Sequence, residues 1–507
     1  MRRLYLLLTL FFAAMTLEHT SFAQIHLPGV LSDHAVLQRD RPVRIWGWAS
    51  PAEKISIRFH NQSLTAETDT IGEWQVWLRP EAAGGPYTLT VTSDKTPTPV
   101  ERHDILLGDV WIASGQSNME MPLKGFNPSM LVKDGDKEIA TATHPQLRLL
   151  VQKKATSDTP LSDSTDTWSE CTPETARNFS AVAYFFGREL SQKENVAIGL
   201  IDTTWGGTPA HAWISLDSIA NANLASVTAD AGNIARDQAR ADNIRATYNR
   251  QDESAKSAGQ PTPIHTAIPN DHGGSWVPGT LYNAMISPYT HYAIKGVIWY
   301  QGETDANPAR AAYYPRVFPT LIDDWRRQWA QGDFPFLFVQ ISSFSSAPDL
   351  WGKVRDAQRR TLSLANTGMA VTLDVGIANN IHPPDKQTVA ARLAANARAI
   401  AYGEHMEYSS PQFVQATIEG HSIRAWFTHA NGLTTRNQSL GDVEIAGDDS
   451  RFVPANARIE TVDGMETIVA TTPSVAAPRY IRYGWAGVVT HFVYNSAGFP
   501  LETFLSE

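Results

Sequence analysis

Asp109-Val-Trp-Ile-Ala-Ser114-Gly-Gln-Ser117-Asn-Met-Glu120 decides how this chain folds. Asp109–Ser114 is an apolar run of strand length, and a glycine-flanked serine follows it directly. The same texture returns downstream at Val196–Thr203, Gly296–Gln301, Phe334–Ser342 and Met369–Val375. Amphipathic segments lie between or after these runs, at Ala181–Gln192, Arg310–Gln331, Trp351–Leu364 and Asp385–Tyr402. The last follows Pro383-Pro384, sets Val389, Leu393, Ala397 and Ile400 on one face, and stops at Gly403. Proline at the start of a helix and glycine past its end are the usual boundaries. Five buried strands joined by helices predict an α/β fold with a doubly wound five-stranded parallel sheet. The ligand site of such a sheet lies at the strands' carboxyl ends.

On either side of this block the pattern changes. From Ile25 to about Val100, short runs alternate apolar and polar residues, as in Val43–Trp48, Ile55–Phe59, Trp74–Leu78 and Tyr87–Val91. Period two with Gly, Pro and Asn between the runs predicts a small β-sandwich. Strand-like runs return after Ser409, at Val414–Ile418, Ser422–Phe427, Ile459–Val462 and Tyr480–Tyr483. Asn221 to about Gly274 is polar, charged and Ala-rich, which predicts a solvated helical insertion or, more sharply, a substrate lid. Arg2 and Arg3, the apolar run Leu4–Met15, and small Ser21 and Ala23 before Gln24 read as a secretory signal peptide. Leu4–Met15 is too short to span about 30 Å of hydrocarbon, and no later run is long enough. The expected organisation is a signal peptide over 1–23, an N-terminal β-sandwich-like domain over 24–102, an α/β domain over 103–405 with its insertion near 221–274, and a C-terminal β-rich region over 406–507.

Composition narrows the function classes. The 507 residues are 42% hydrophobic and 19% charged, enough apolar material for a large core and too much for a disordered or collagen-like chain. A net charge of −10 with no basic run argues against a nucleic-acid partner. Cys171 is the single cysteine, so there is no intramolecular disulfide and no Cys-rich metal site. In an exported chain this points to a bacterial periplasm or outer surface, with stability drawn from core size. The 15 tryptophans divide by position. Trp46, Trp48, Trp74 and Trp77 belong most simply to the sandwich core; Trp205, Trp213 and Trp299 lie beside the motifs below, where an aromatic face can stack on a sugar, though core packing is simpler for each.

Four motifs follow four of the strands. Gly115-Gln-Ser117-Asn-Met-Glu120 exposes a hydroxyl at the head of the sheet, and the Ser117 N–H can donate to an oxyanion. Trp205-Gly206-Gly207-Thr208-Pro209 leaves the backbone open at Gly207, as an oxyanion donor requires. Trp299-Tyr300-Gln301-Gly302-Glu303 offers the Gln301 amide as a further donor, and Glu303 to orient the serine loop or a substrate hydroxyl. Asn379-Asn380-Ile381-His382-Pro383 fixes a histidine at the same edge, where it can take the serine proton and return it to a leaving alcohol. Each motif alone is an ordinary turn. Their conjunction supplies nucleophile, base and three oxyanion donors for acyl transfer.

These blocks resemble the SGNH hydrolases, specifically the sialate O-acetylesterase family of carbohydrate esterases. The resemblance extends through Phe179–Leu190, Gly199–Pro209, Arg479–Trp485 and Tyr494–Gly498, covering most of the chain. It implies an SGNH/flavodoxin-like sheet and a metal-free, cofactor-free serine esterase acting on acetylated carbohydrates such as sialic acid, xylan or xyloglucan. It implies Ser117 as nucleophile, His382 as base, and Ser117, Gly207 and Gln301 as the oxyanion hole. The chain departs from the family at the acid, where Asn379-Asn380 stands in place of the usual Asp before Ile-His-Pro. In a serine protease an Asp-to-Asn exchange at the acid costs roughly 10⁴ in turnover. Three outcomes are open: a dyad whose histidine is oriented by Asn380 or a backbone carbonyl, an acid supplied by Asp374 or Asp385, or a weakened enzyme. Two other readings stand beside the esterase, a non-catalytic glycan-binding homologue and a lipase or thioesterase on the same fold.

Overall fold

The computed structural model describes residues 24–95, 98–268 and 271–506; the expected signal peptide lies outside the described residues. Val100–Gly115 (β1) organises the molecule. Its first residues alternate in burial while its last nine are buried without a break. That is the change expected of a strand leaving an antiparallel sheet with one wet face for a parallel sheet covered on both. Accordingly, β1 pairs antiparallel with Gly84–Ser93 and parallel with Val36–Gln38 at its start. Its end enters a parallel sheet with His144–Val151 (β2), Ile198–Thr204 (β3), Gly296–Tyr300 (β4), Phe336–Gln340 (β5) and Thr367–Val371 (β6). The strand runs unbroken across residues 102 and 103.

The order across this part of the sheet is β6-β5-β4-β1-β3-β2, every neighbouring pair parallel, with Ser169–Cys171 antiparallel beyond β2. One expectation is thereby corrected: there are six parallel strands instead of five. The extra strand, β2, is hidden in the sequence by Arg148, which interrupts its apolar run. That guanidinium is buried and donates to Asp104 at 2.8 Å, while Leu147, Leu149 and Leu150 fill the core around it.

Six helices concern the site: Ser117–Glu120 (α1), Ala181–Glu194 (α2), Ala225–Ser257 (α3), Tyr314–Trp329 (α4), Pro348–Arg360 (α5) and Lys386–Ile400 (α6). Ser180 caps α2 by accepting from the Ala183 N–H at 3.2 Å, and Asp385 caps α6 through the Thr388 N–H at 3.0 Å. α2 and α6 pack on each other, α2 against β3 and α6 against β6, whereas α4 packs on α5. α3 fills most of the expected insertion. It is tied down near its start by Asp230, which accepts from Arg310 Nε at 2.9 Å and from the Tyr313 hydroxyl at 3.0 Å.

The N-terminal β region holds Trp46 and Trp74 in its core. Trp77 is 56% exposed, which corrects its placement in the sandwich interior. The reason is geometric: Trp74 and Trp77 are three positions apart on the strand Glu73–Leu78, so alternation sends them to opposite faces. The C-terminal region forms two four-stranded antiparallel sheets. Buried Arg355 of α5 anchors it, donating to the carbonyls of Gly484, Ala486 and Gly487. No helix among the described residues is long and apolar enough to cross a membrane.

Candidate active site

Ser117 stands where β1 leaves the sheet between β3 and β4. Gly115 makes the exit possible, with φ +129° and its backbone against Tyr300: a Cβ there would lie 2.2 Å from the Tyr300 carbonyl oxygen. Gln116 N–H then donates to the same carbonyl at 3.0 Å, and the chain turns into α1. Gly115→Ala should therefore destabilise the fold by about 2–4 kcal/mol, combining a disfavoured φ with backbone overlap. Urea unfolding of the variant checks this, and a change below 1 kcal/mol (about the cost of an ordinary surface substitution) would contradict it.

Four of the expected residues converge here. The Ser117 hydroxyl lies 2.8 Å from His382 Nε2 across the carboxyl edge of the sheet. Gly206 packs on Ser117: a Cβ placed on this glycine would meet the serine Cβ at 3.1 Å. Gly207 has φ +74° and open space around it. Among the described residues, neither the Ser117 nor the Gly207 N–H has an acceptor, so both are free to serve an incoming oxygen. The loop is held from two sides. Glu120 accepts from the Gly206 N–H and, through its other oxygen, from Lys154 at 2.6 Å. Trp276 Nε1 donates to the Gly207 carbonyl at 2.7 Å, its indole stacked on His272 at 3.6 Å and capped by Arg310 at 4.2 Å.

Gln301 is not aimed at Ser117, which corrects its expected part in the oxyanion hole. Its Nε2 donates to the Thr208 carbonyl at 3.2 Å and to Asp305 Oδ2 at 2.5 Å, while its Oε1 accepts from Tyr314. Both amide hydrogens are committed inside a fully buried cluster. Burial pushes the Asp305 carboxyl up to about 6, with the Ala210 N–H, Arg310 and Gln301 opposing. Among the described residues Asn380 makes no hydrogen bond to the imidazole either. Its Oδ1 accepts from the His382 backbone N–H at 2.9 Å, a local turn that a side chain two residues upstream readily makes. The two alternative acids are also engaged elsewhere: Asp374 forms a bidentate pair with Arg392, and Asp385 caps α6. Among the described residues no carboxylate bonds to His382 Nδ1; the ring meets the edge of Phe126 at 5.4 Å. Burial, then the nearby Lys386 charge, holds the imidazole pKa below its ordinary value, with Glu120 opposing.

Glu303 does reach the serine loop, though through a partner that the sequence reading passed over. Asn118 Nδ2 donates to Glu303 Oε1 at 2.6 Å and to the Ile381 carbonyl at 3.0 Å, and Lys386 Nζ donates to Asn118 Oδ1 at 2.6 Å. A signal for Lys386 was present: it shares with Val389 and Leu393 the i, i+3, i+7 spacing of the buried face of α6. Trp213 and Trp299 are fully buried and pack edge to face at 6.1 Å, so of the three tryptophans beside the motifs only half-buried Trp205 remains open to a ligand.

Comparison with known proteins gives the chain its class. Residues 251–397, which include Gln301, Glu303, His382 and Lys386, match the family model for carbohydrate esterases described as sialic acid-specific acetylesterase. The chain is a carboxylic ester hydrolase. Human sialate O-acetylesterase is 30% identical over 499 residues, covering 90% of this chain and 86% of its own, and the mouse enzyme is 31% identical over 497 residues, covering 90% and 88%. A crystal structure of a carbohydrate acetylesterase from Xanthomonas citri superposes with a TM-score of 0.79 at 34% identity, covering 96% of this chain and all of that one. The chain belongs to the sialate O-acetylesterase family.

Proposed function

We propose that this protein removes acetyl groups from carbohydrate hydroxyls through a Ser117–His382 dyad. Ser117 Oγ attacks the acetyl carbonyl carbon while its proton passes to His382 Nε2. The oxyanion of the tetrahedral intermediate accepts from the Ser117 and Gly207 N–H groups. Collapse breaks the bond to the sugar oxygen, which leaves with the proton from His382, and acetyl-Ser117 remains. A water, deprotonated by His382, then attacks the acetyl carbon; the bond to Ser117 Oγ breaks, His382 returns the proton to that oxygen, and acetate leaves. The observation that carries this reading is the 2.8 Å contact between Ser117 and His382 beside two unpaired N–H groups. It also favours an enzyme over a non-catalytic glycan-binding homologue. The engagement of Asp374 with Arg392 and of Asp385 with α6 supports a dyad over a triad. The N-terminal pattern around Leu4–Met15 supports export, with the mature chain starting at Gln24.

The test is acetate release from O-acetylated sialoglycans, xylan and xyloglucan, alongside 4-nitrophenyl esters of increasing chain length. Acetyl esters should be preferred, activity should survive chelators, and an organophosphonate should add once, at Ser117. Preference for long acyl chains would instead mark a lipase, and glycan binding without turnover would mark a lectin-like homologue.

A further inference from the structure

Asn118 touches the neighbours of both dyad members. It follows Ser117 in α1, and its Nδ2 holds the carbonyl of Ile381, the residue before His382. Its remaining partners, Glu303 and Lys386, are charged groups drawn from the end of β4 and the start of α6. An ammonium demands the amide oxygen, and a carbonyl demands the NH₂, so these partners leave the amide a single orientation. All three side chains are buried, Lys386 and Asn118 completely. Burying an ammonium and a carboxylate is costly, and apolar residues of equal volume commonly serve stability as well or better. A purely structural role therefore leaves this arrangement unaccounted for.

We propose that Lys386, Asn118 and Glu303 form a buried clamp that positions Ser117 against His382, and that the Lys386 ammonium tunes the base, where a triad would place a carboxylate on Nδ1. The proposal rests on the dyad reading above. A triad carboxylate both orients the imidazole and stabilises its charged form. The clamp does the first through the Ile381 carbonyl, but the charge through which it acts on the histidine has the opposite sign. The groups facing His382 are Lys386 of α6, Glu120 and Ser117 of α1, and the Phe126 ring. Those facing Lys386 are Glu303, Asn118 and the Tyr300 ring at 5.6 Å. Burial pushes the Lys386 pKa down to about 7 against the pull of Glu303. The cation is thus fully present only below neutrality, in the range where protonation of His382 would stop the reaction. There it opposes the imidazolium and extends activity toward acid.

Lys386→Met removes charge and hydrogen bond, Lys386→Gln keeps a donor to Asn118, and Lys386→Arg keeps the charge. Acetate release from 4-nitrophenyl acetate is followed across the acid range, with thermal melts as the folding control. The acid limb of kcat/KM should move up by about half a pH unit to one unit in the Met and Gln variants and stay in place in Arg. In Lys386→Met, kcat should fall by roughly tenfold or more with KM little changed, and Lys386→Gln should fall less, as expected for a positioning residue. If the Met variant does not fold, the Gln variant carries the test. Wild-type limbs and kcat in the folded neutral variants would overturn the clamp while leaving the dyad intact; an active Ser117→Ala would overturn the dyad itself.

Discussion

Ser117→Ala should lose acetylesterase turnover by on the order of 10⁴-fold or more while its melting temperature stays close to that of the wild type. The large effect follows from position. Among the described residues, no other hydroxyl is hydrogen-bonded to His382 Nε2, and the free N–H groups of Ser117 and Gly207 lie on the two loops that meet at this serine. The small structural effect follows from packing, because Ser117 is half-buried, its hydroxyl bonds to the imidazole, and alanine keeps the Cβ that Gly206 packs on. Glu120, Asn118 and the Gly115 turn remain to hold the loop. The readouts are acetate release and phosphonate labelling, both of which should disappear together. Retained labelling at another serine would place the nucleophile elsewhere.

His382→Ala should cost a comparable factor, because without the base the hydroxyl keeps its proton and the leaving alcohol receives none. The wild-type pH profile carries the same information. Activity needs neutral imidazole, and the pKa of His382 is held low by burial and by Lys386. Activity should therefore be complete above the ordinary imidazole range and be lost only as pH falls through the lowered value. A profile already falling near neutrality would mean that the histidine is stabilised as a cation, as by an unrecognised carboxylate. Exogenous imidazole should restore part of the rate to His382→Ala and none to Ser117→Ala, which separates the two roles.

Much of this was legible in the chain. Strand runs after turn residues, the Pro383-Pro384 start of α6 and the alternation in Lys54–Phe59 are local signals, set by sterics and by which face meets water. Where local pattern and tertiary environment disagreed, the reading failed. Arg148 hid β2 because its compensation by Asp104 comes from 44 residues away. Trp77 passed for core because hydrophobicity carries no facing until register is known. Gln301 looked like an oxyanion donor because a strand-end amide is one whenever nothing nearer claims it, and Asp305 and Thr208 do claim it.

By itself, then, the sequence determined the kinds of group present and the strand ends on which they fall: a serine after β1, paired glycines after β3, an acid after β4 and a histidine before α6. It also determined that the position before Ile381 carries an amide instead of a carboxylate. Only the tertiary structure decided which of these groups face one another. It turned Asn380 to the backbone, spent Gln301 on a buried cluster, and joined Lys386 and Glu303 through Asn118 next to the serine. The physical reason is that a hydrogen bond forms over about 3 Å in a fixed direction, and a charge is tolerated inside only beside its partner. Asn118 and Lys386 are 268 positions apart in the chain, and no local pattern records that they meet.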